Sequence, residues 1–259
     1  MKSAFSKTVV LIGAGNVATH LGRALHKAGF RIVQVYSPGA RTAKKLAKEF
    51  NAQAVGQLSA VVDRAGLYVL AVKDDALASV VTELDVKSGI VLHTAGAVDA
   101  ALLKDTAKHT GVMYPLQTFS KERRVRMKQV PLCIEAGDKK TLKTLHGIAS
   151  RISKNVHVLS SAQRRAAHLS AVFANNFSNH CYVIAAELLK ENGLSFELLR
   201  PLIEETAAKA QVIPPGSAQT GPAKRGDKAV MKKHLELLKK HPQWKKLYEL
   251  MSEDIGKTK

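Results

Sequence analysis

A doubly wound α/β sheet followed by an all-helical half is the fold this sequence predicts. Three observations carry it. Short, apolar, β-rich runs alternate with helical patterns through residues 1–160, the rhythm of a parallel sheet covered on both faces. A Gly-Ala-Gly turn stands between the first apolar run and the first helix. After Ser160 no run reads as a strand.

The elements follow in order. The runs at 8–12, 31–36, 67–72 and 90–94 are short and continuously apolar, as strands buried on both faces must be. Between them the apolar spacing predicts helices over 17–28, 40–50 and 75–84. Further strands are expected at 112–114, 130–136 and 155–159, with a helix over 139–152. The second half begins with one long helix over 162–192, closed by Gly193. A helix over 195–210 comes next, with Pro201 in its first turn or at a kink. A loop rich in Pro and Gly spans 212–227, and helices over 228–241 and 243–255 are separated by Pro242. The domain boundary therefore falls near Ser160, giving units 1–160 and 161–259.

Composition narrows the function classes. The 259 residues are enough to bury a substantial core, as one large domain or two modest ones. No apolar run approaches the roughly 18–20 residues a bilayer crossing needs, so no membrane partner is expected. Met1–Lys7 and the short Gly-rich run after it do not fit a secretory leader. The two cysteines, Cys133 and Cys181, can build neither a disulfide framework nor a four-cysteine zinc site. The chain reads as cytoplasmic, with reduced thiols and no metal site. Its net charge of +19 favours anionic ligands. Aromatic residues make up only 5%, which argues against a nucleic-acid binder that stacks bases on exposed rings.

The chemistry begins at the glycine turn. Gly13-Ala14-Gly15-Asn16-Val17-Ala18 is G-x-G-x-x-A, set after a strand and before a helix. Gly13 permits the tight turn, Gly15 lets backbone approach a pyrophosphate, and Ala18 allows close helix–strand packing. The helix N-terminus then offers free N–H groups to phosphate. Gly13, Ala14, Gly15, Asn16 and Val17 are the expected dinucleotide contacts.

The residues after the second strand select the cofactor. NAD sites usually carry an acid there, bonded to the ribose hydroxyls. Here Ser37-Pro38-Gly39-Ala40-Arg41 follows Tyr36, with no acid before Glu49. Ser37 and Arg41 are suited to a 2′-phosphate, so NADP is the expected cofactor. Val72-Lys73-Asp74-Asp75 and His93-Thr94-Ala95-Gly96 stand at two further strand ends, where ligands bind in open α/β sheets. Val72, Lys73, His93 and Thr94 join the expected cofactor contacts, and Asp74 or Asp75 is expected to cap the next helix.

With Ala71-Val72-Lys73-Asp74 and an all-helical second half, the chain resembles the superfamily of 6-phosphogluconate dehydrogenase, ketopantoate reductase and pyrroline-5-carboxylate reductase. Tyr114-Pro115-Leu116-Gln117-Thr118-Phe119, Phe173-Ala174-Asn175-Asn176-Phe177 and Gln219 to Asp227 resemble bacterial proteins with a Rossmann-like domain and a helical domain of unknown function 2520. The resemblance implies an α/β fold, a doubly wound Rossmann-type sheet followed by an all-α C-terminal domain. It also implies an NADP-dependent oxidoreductase whose helical domain makes a homodimer.

One departure stands out. Several dehydrogenases of the superfamily carry a catalytic Lys four residues before an Asn on the first long helix, and aligning that Asn with Asn175 puts Ala171 at the lysine position. His168, Asn175 and Asn179, spaced by seven and four, would share one face of a regular helix and are the expected catalytic group. Gln117, Lys224 and Arg225 are expected to contact a small-molecule substrate, the two cations suiting its carboxylate or phosphate. The sequence thus points to a reductase of a small carbonyl or imine; the alternative is a dinucleotide-binding sensor or scaffold without turnover.

Overall fold

The computed structural model describes residues 6–257. Residues 1–5, most of the segment examined for a leader, lie outside the described residues. Eight strands form one sheet in the order β3-β2-β1-β4-β5-β6-β7-β8. They are β1 (Thr8–Ile12), β2 (Arg31–Tyr36), β3 (Gln53–Val55), β4 (Arg64–Leu70), β5 (Ser88–His93), β6 (His109–Pro115), β7 (Leu132–Ala136) and β8 (Val156–Val158). All neighbours run parallel except β6 and β7.

The order reverses at β1, which pairs with β2 on one side and β4 on the other. Such a reversal opens a crevice at the strand C-termini, the usual ligand site of doubly wound sheets. Two backbone bonds hold its rim: Gly13 N–H donates to the Tyr36 carbonyl at 2.8 Å, and Ala71 N–H to the Ile12 carbonyl at 2.8 Å.

Helices α1 (Asn16–Lys27), α2 (Ala40–Phe50), α3 (Asp74–Glu83) and α4 (Lys139–Ile152) connect the strands. Two apolar clusters fill the layers. One joins Val9, Leu11, Leu67 and Leu92 to Leu21 and Leu25 of α1, Leu46 of α2 and Leu145 of α4. The other joins Val10, Ile12, Tyr68 and Val91 to Leu77 and Val80 of α3. Alternate side chains of one strand thus enter opposite layers, which is why these runs are apolar throughout.

The sequence reading misses β3, a three-residue edge strand too short to leave a pattern. It also starts β4 late, because the Ala65-Gly66 entry lacks branched or aromatic side chains. Neither Asp74 nor Asp75 caps α3. Lys73 holds the cap position, and both acids occupy the first turn, where carboxylates suit the positive end of the helix dipole.

The expected long helix of the second half is a helical run with a π-helical turn inside it. It comprises α5 (Ser161–Ala171), the π turn Val172–Phe177 and α6 (Ser178–Glu191). The chain divides into two compact units between Asn175 and Asn176, within that turn. The second unit continues through α7 (Arg200–Val212), two single-turn helices α8 (Pro215–Ala218) and α9 (Pro222–Arg225), α10 (Lys228–Leu237) and α11 (Pro242–Lys257). Pro201 lies in the first turn of α7, where its missing N–H costs no hydrogen bond. Part of the predicted 212–227 loop is therefore helical. Among the described residues no helix is long and apolar enough to cross a membrane.

Candidate active site

The glycine turn has the form a dinucleotide requires. Gly13 has φ of +116°, and a Cβ there would stand 2.4 Å from the Ala71 carbonyl oxygen, so this position admits only glycine. At Gly15 a Cβ would meet nothing within 4 Å. That open space faces the start of α1, where backbone N–H groups have no intrahelical acceptor. Ala18 is fully buried and lets α1 approach the sheet. The residues present therefore fit a bound pyrophosphate. The Asn16 amide, expected to face the cofactor, instead donates to the Phe119 carbonyl at 2.7 Å.

At the β2–α2 turn Ser37 is half-buried and Arg41 exposed, and the first turn of α2 carries no acid. Thr42 and Lys45 of α2 line a hollow of about 230 Å³ with Arg23, Glu49 and Lys121. Arg23 grips Glu49 through two bonds of 2.7 and 2.9 Å and holds its carboxyl below the usual range, with Lys45 and Lys121 adding to the effect. Thr42 escapes a sequence reading because a threonine in a helix's first turn is unremarkable without its neighbours.

The end of β5 carries a second constellation. His93 is fully buried, and its Nδ1 accepts from the Ala95 N–H at 3.2 Å. Burial, and then the charge of Arg164, pushes its pKa down to about 4. A neutral, enclosed ring of this kind shapes the turn it holds. Thr94 is nearly as buried, its hydroxyl 3.4 Å from the Leu70 carbonyl. Lys73 is exposed and Val72 half-buried at the end of β4.

Gly96 lies two residues after Thr94. A Cβ there would stand 2.6 Å from His168 Nδ1 and 2.9 Å from Tyr114 Cζ. Tyr114, near the end of β6, bonds His168 Nδ1 through its hydroxyl at 2.9 Å. Burial pushes the Tyr114 phenol up to about 12, so it remains protonated at neutral pH. The sequence reading named His168 but not Tyr114, which belonged there only to a family motif.

An ion pair between a buried arginine and a half-buried glutamate delivers His168 to this place. Arg164, one helical turn earlier, is 1% exposed and bonds the Glu135 carboxylate of β7 and the Val98 carbonyl. Ser161 adds its N–H and hydroxyl to Glu135, each at 3.0 Å, and accepts from the Ala100 N–H at 3.0 Å. Arg165 pairs with Asp99 at 2.9 Å. These contacts bolt the start of α5 to β7 and to the connection after β5. Residues four apart share a helix face, so fixing Arg164 fixes His168 against Gly96.

The remaining expected residues are all exposed. Asn175 is exposed in the π turn, and Asn179 is exposed on α6. The wider turn at Val172–Phe177, which contains Asn175 and precedes Asn179, interrupts the 3.6-residue period that would place both on the His168 face. Gln117 is exposed and accepts from the Thr118 N–H at 2.8 Å. Lys224 and Arg225 are exposed at the end of α9, and Asp227 caps α10 by accepting from the Val230 N–H at 3.2 Å.

The family profile described as NADP oxidoreductase, coenzyme F420-dependent, matches residues 8–96. A solved structure from Bacteroides fragilis, a candidate NADP oxidoreductase, is 43% identical, with a TM-score of 0.92 over 98% of this chain and 99% of its own. The chain belongs to this family of NADP oxidoreductases. Residues 130–255 match the profile described as domain of unknown function 2520. An imine reductase from Myxococcus stipitatus, solved with NADP+, shares the fold at 15% identity and a TM-score of 0.66, over 96% of this chain and 92% of its own. A 1-pyrroline-5-carboxylate reductase from Streptococcus pyogenes does so at 12% and 0.61, over 96% and 98%. No curated protein matches the chain in sequence.

Proposed function

We propose that the chain is an NADP(H)-dependent reductase of a small carbonyl or imine, with His168 delivering the proton and Tyr114 positioning it. The Tyr114–His168 hydrogen bond over Gly96 carries this reading. It lies just past the end of β5, on the sheet edge where doubly wound folds hold their ligands. NADPH, when bound, supplies the hydride. As an imidazolium, His168 would donate Nδ1–H to the Tyr114 oxygen and give its Nε2 proton to the carbonyl oxygen or imine nitrogen, which leaves a neutral ring. His93 supports the same site from beneath, through the Ala95 N–H. Asn175, exposed in the π turn, would orient the substrate. NADPH consumption against a panel of small carbonyls and imines tests the reading. Tight NADPH binding with no turnover across the panel would favour a non-catalytic sensor, the reading that Ala171 at the usual lysine position supports.

Cofactor choice is the second part of the proposal. Ser37 and Arg41 are assigned to the 2′-phosphate, since the β2–α2 turn offers cations and hydroxyls and no acid. A charge-assisted contact is worth ~1.5–3 kcal/mol, or roughly ten- to hundredfold in affinity. NADP(H) is therefore expected to bind at least tenfold more tightly than NAD(H), and Arg41→Ala to remove most of the difference. Calorimetric titration with both cofactors measures this, and equal affinities for the unaltered chain would refute it.

The third part is assembly. No residue of α6, α7 or α10 is buried. Leu198, Leu202, Val212 and Leu237 are 62–80% exposed. Helices gain most of their stability by burying an apolar face, and monomers rarely leave so much apolar surface in water. A second copy offers the same apolar surface, and a two-fold interface would pair the two patches. A homodimer built mainly by residues 161–259 is expected, and Leu202→Lys should weaken it. Light scattering at micromolar concentration decides, a monomeric mass being the outcome that overturns it.

A further inference from the structure

The connection between β6 and β7 crosses the start of α1. The Asn16 amide donates to the Phe119 carbonyl at 2.7 Å, and His20 Nε2 meets the Ser120 carbonyl at 2.8 Å. The His20 and Phe119 rings stack with centroids 4.8 Å apart. Lys121 Nζ then donates to the carbonyl of Ala14, inside the glycine turn, at 3.1 Å. Four contacts between residues about a hundred positions apart thus hold this segment over the turn.

The lysine is the informative member. An ammonium has three donors, and Ala14 takes one. The carbonyl it engages belongs to the turn in which Gly15, just before α1, faces open space. Lys121 is exposed, so its stem is not needed to fill the core. Two acids border the same hollow: Glu49, already bound by Arg23, and Glu122. A strongly hydrated point charge set beside a phosphate-shaped turn suits a diffuse dianion.

We propose that Lys121 is a ligand of the cofactor's pyrophosphate, carried by the β6–β7 connection, and that residues 117–122 clamp the bound dinucleotide. This rests on the reading of the chain as an NADP(H)-binding oxidoreductase. It assigns Lys121 to the part of the cofactor that NADPH and NADH share, whereas Ser37 and Arg41 act on the part that differs.

Titration at fixed ionic strength separates the assignments. Lys121→Ala should weaken NADPH and NADH by the same factor, on the order of tenfold, leaving their ratio unchanged. Lys121→Arg should retain most of the affinity. Arg41→Ala should do the reverse of Lys121→Ala, changing the ratio. Backbone hydrogen exchange in residues 116–122 should slow on NADPH binding in the unaltered chain and much less in Lys121→Ala. Unchanged dissociation constants for Lys121→Ala, even with faster exchange in the free protein, would show that the lysine only ties down the connection. A loss confined to NADPH would overturn the pyrophosphate assignment. If the unaltered chain bound neither cofactor, the oxidoreductase reading itself would fall, a different result from loss in the variant alone.

Discussion

Glu135→Ala is expected to destabilise the chain by about 3–5 kcal/mol, the cost of leaving a buried charge without its partner. Arg164 is 1% exposed, and Glu135 is the anion that meets it. It also bonds the Val98 carbonyl and the Ser161 hydroxyl, which carry no formal charge. The same substitution strips the Ser161 N–H and hydroxyl of their acceptor. Denaturant unfolding followed by circular dichroism measures the loss. The double variant Glu135→Ala/Arg164→Met should recover a large part of it, because an apolar side chain of similar length needs no counter-ion. A loss below about 1 kcal/mol in the single variant would show that the pair contributes little beyond an exposed salt bridge.

His168→Ala is expected to lower kcat by roughly 10²–10⁴-fold, the usual worth of a positioned acid or base, while the dissociation constant of NADPH stays within about twofold. Tyr114→Phe keeps the ring and removes the bond to Nδ1, so its loss should be smaller, near tenfold, and accompanied by a changed pH–rate profile. Gly96→Ala should resemble His168→Ala, since its methyl would occupy the space of the imidazole. Single-turnover kinetics on whichever substrate the panel identifies separates these effects from binding. An unchanged kcat in His168→Ala would remove the histidine from the chemistry and leave the polar contact as packing.

These variants sample what is invisible in one dimension. Arg164 stands in Gln-Arg-Arg-Ala, a stretch that reads as a solvated helix surface, and Arg165 beside it is indeed exposed. Nothing in the sequence distinguishes the two. Burial of the first follows from where α5 lands on β7, and Glu135 lies 29 positions away. Tyr114 and His168 are 54 positions apart, on a strand and a helix that meet only after folding. Lys121 stands in a stretch with Arg123, Arg124 and Arg126, and only its bond to Ala14 sets it apart from them.

The alternation of strands and helices, the glycine turn with its following helix, the acid-free β2–α2 connection and the change to an all-helical second half are legible from the order of residues alone. Those features are local: apolar period, glycine spacing and the residues within one turn dictate them. The tertiary structure decided the short edge strand, the π turn that breaks the His168–Asn175–Asn179 period, the Arg164–Glu135 pair, the Tyr114–His168 contact over Gly96 and the crossing of Lys121 over the cofactor turn. Each of these depends on elements distant in the chain being brought together, or on backbone geometry that departs from a regular period, and neither is encoded in the spacing of neighbouring residues.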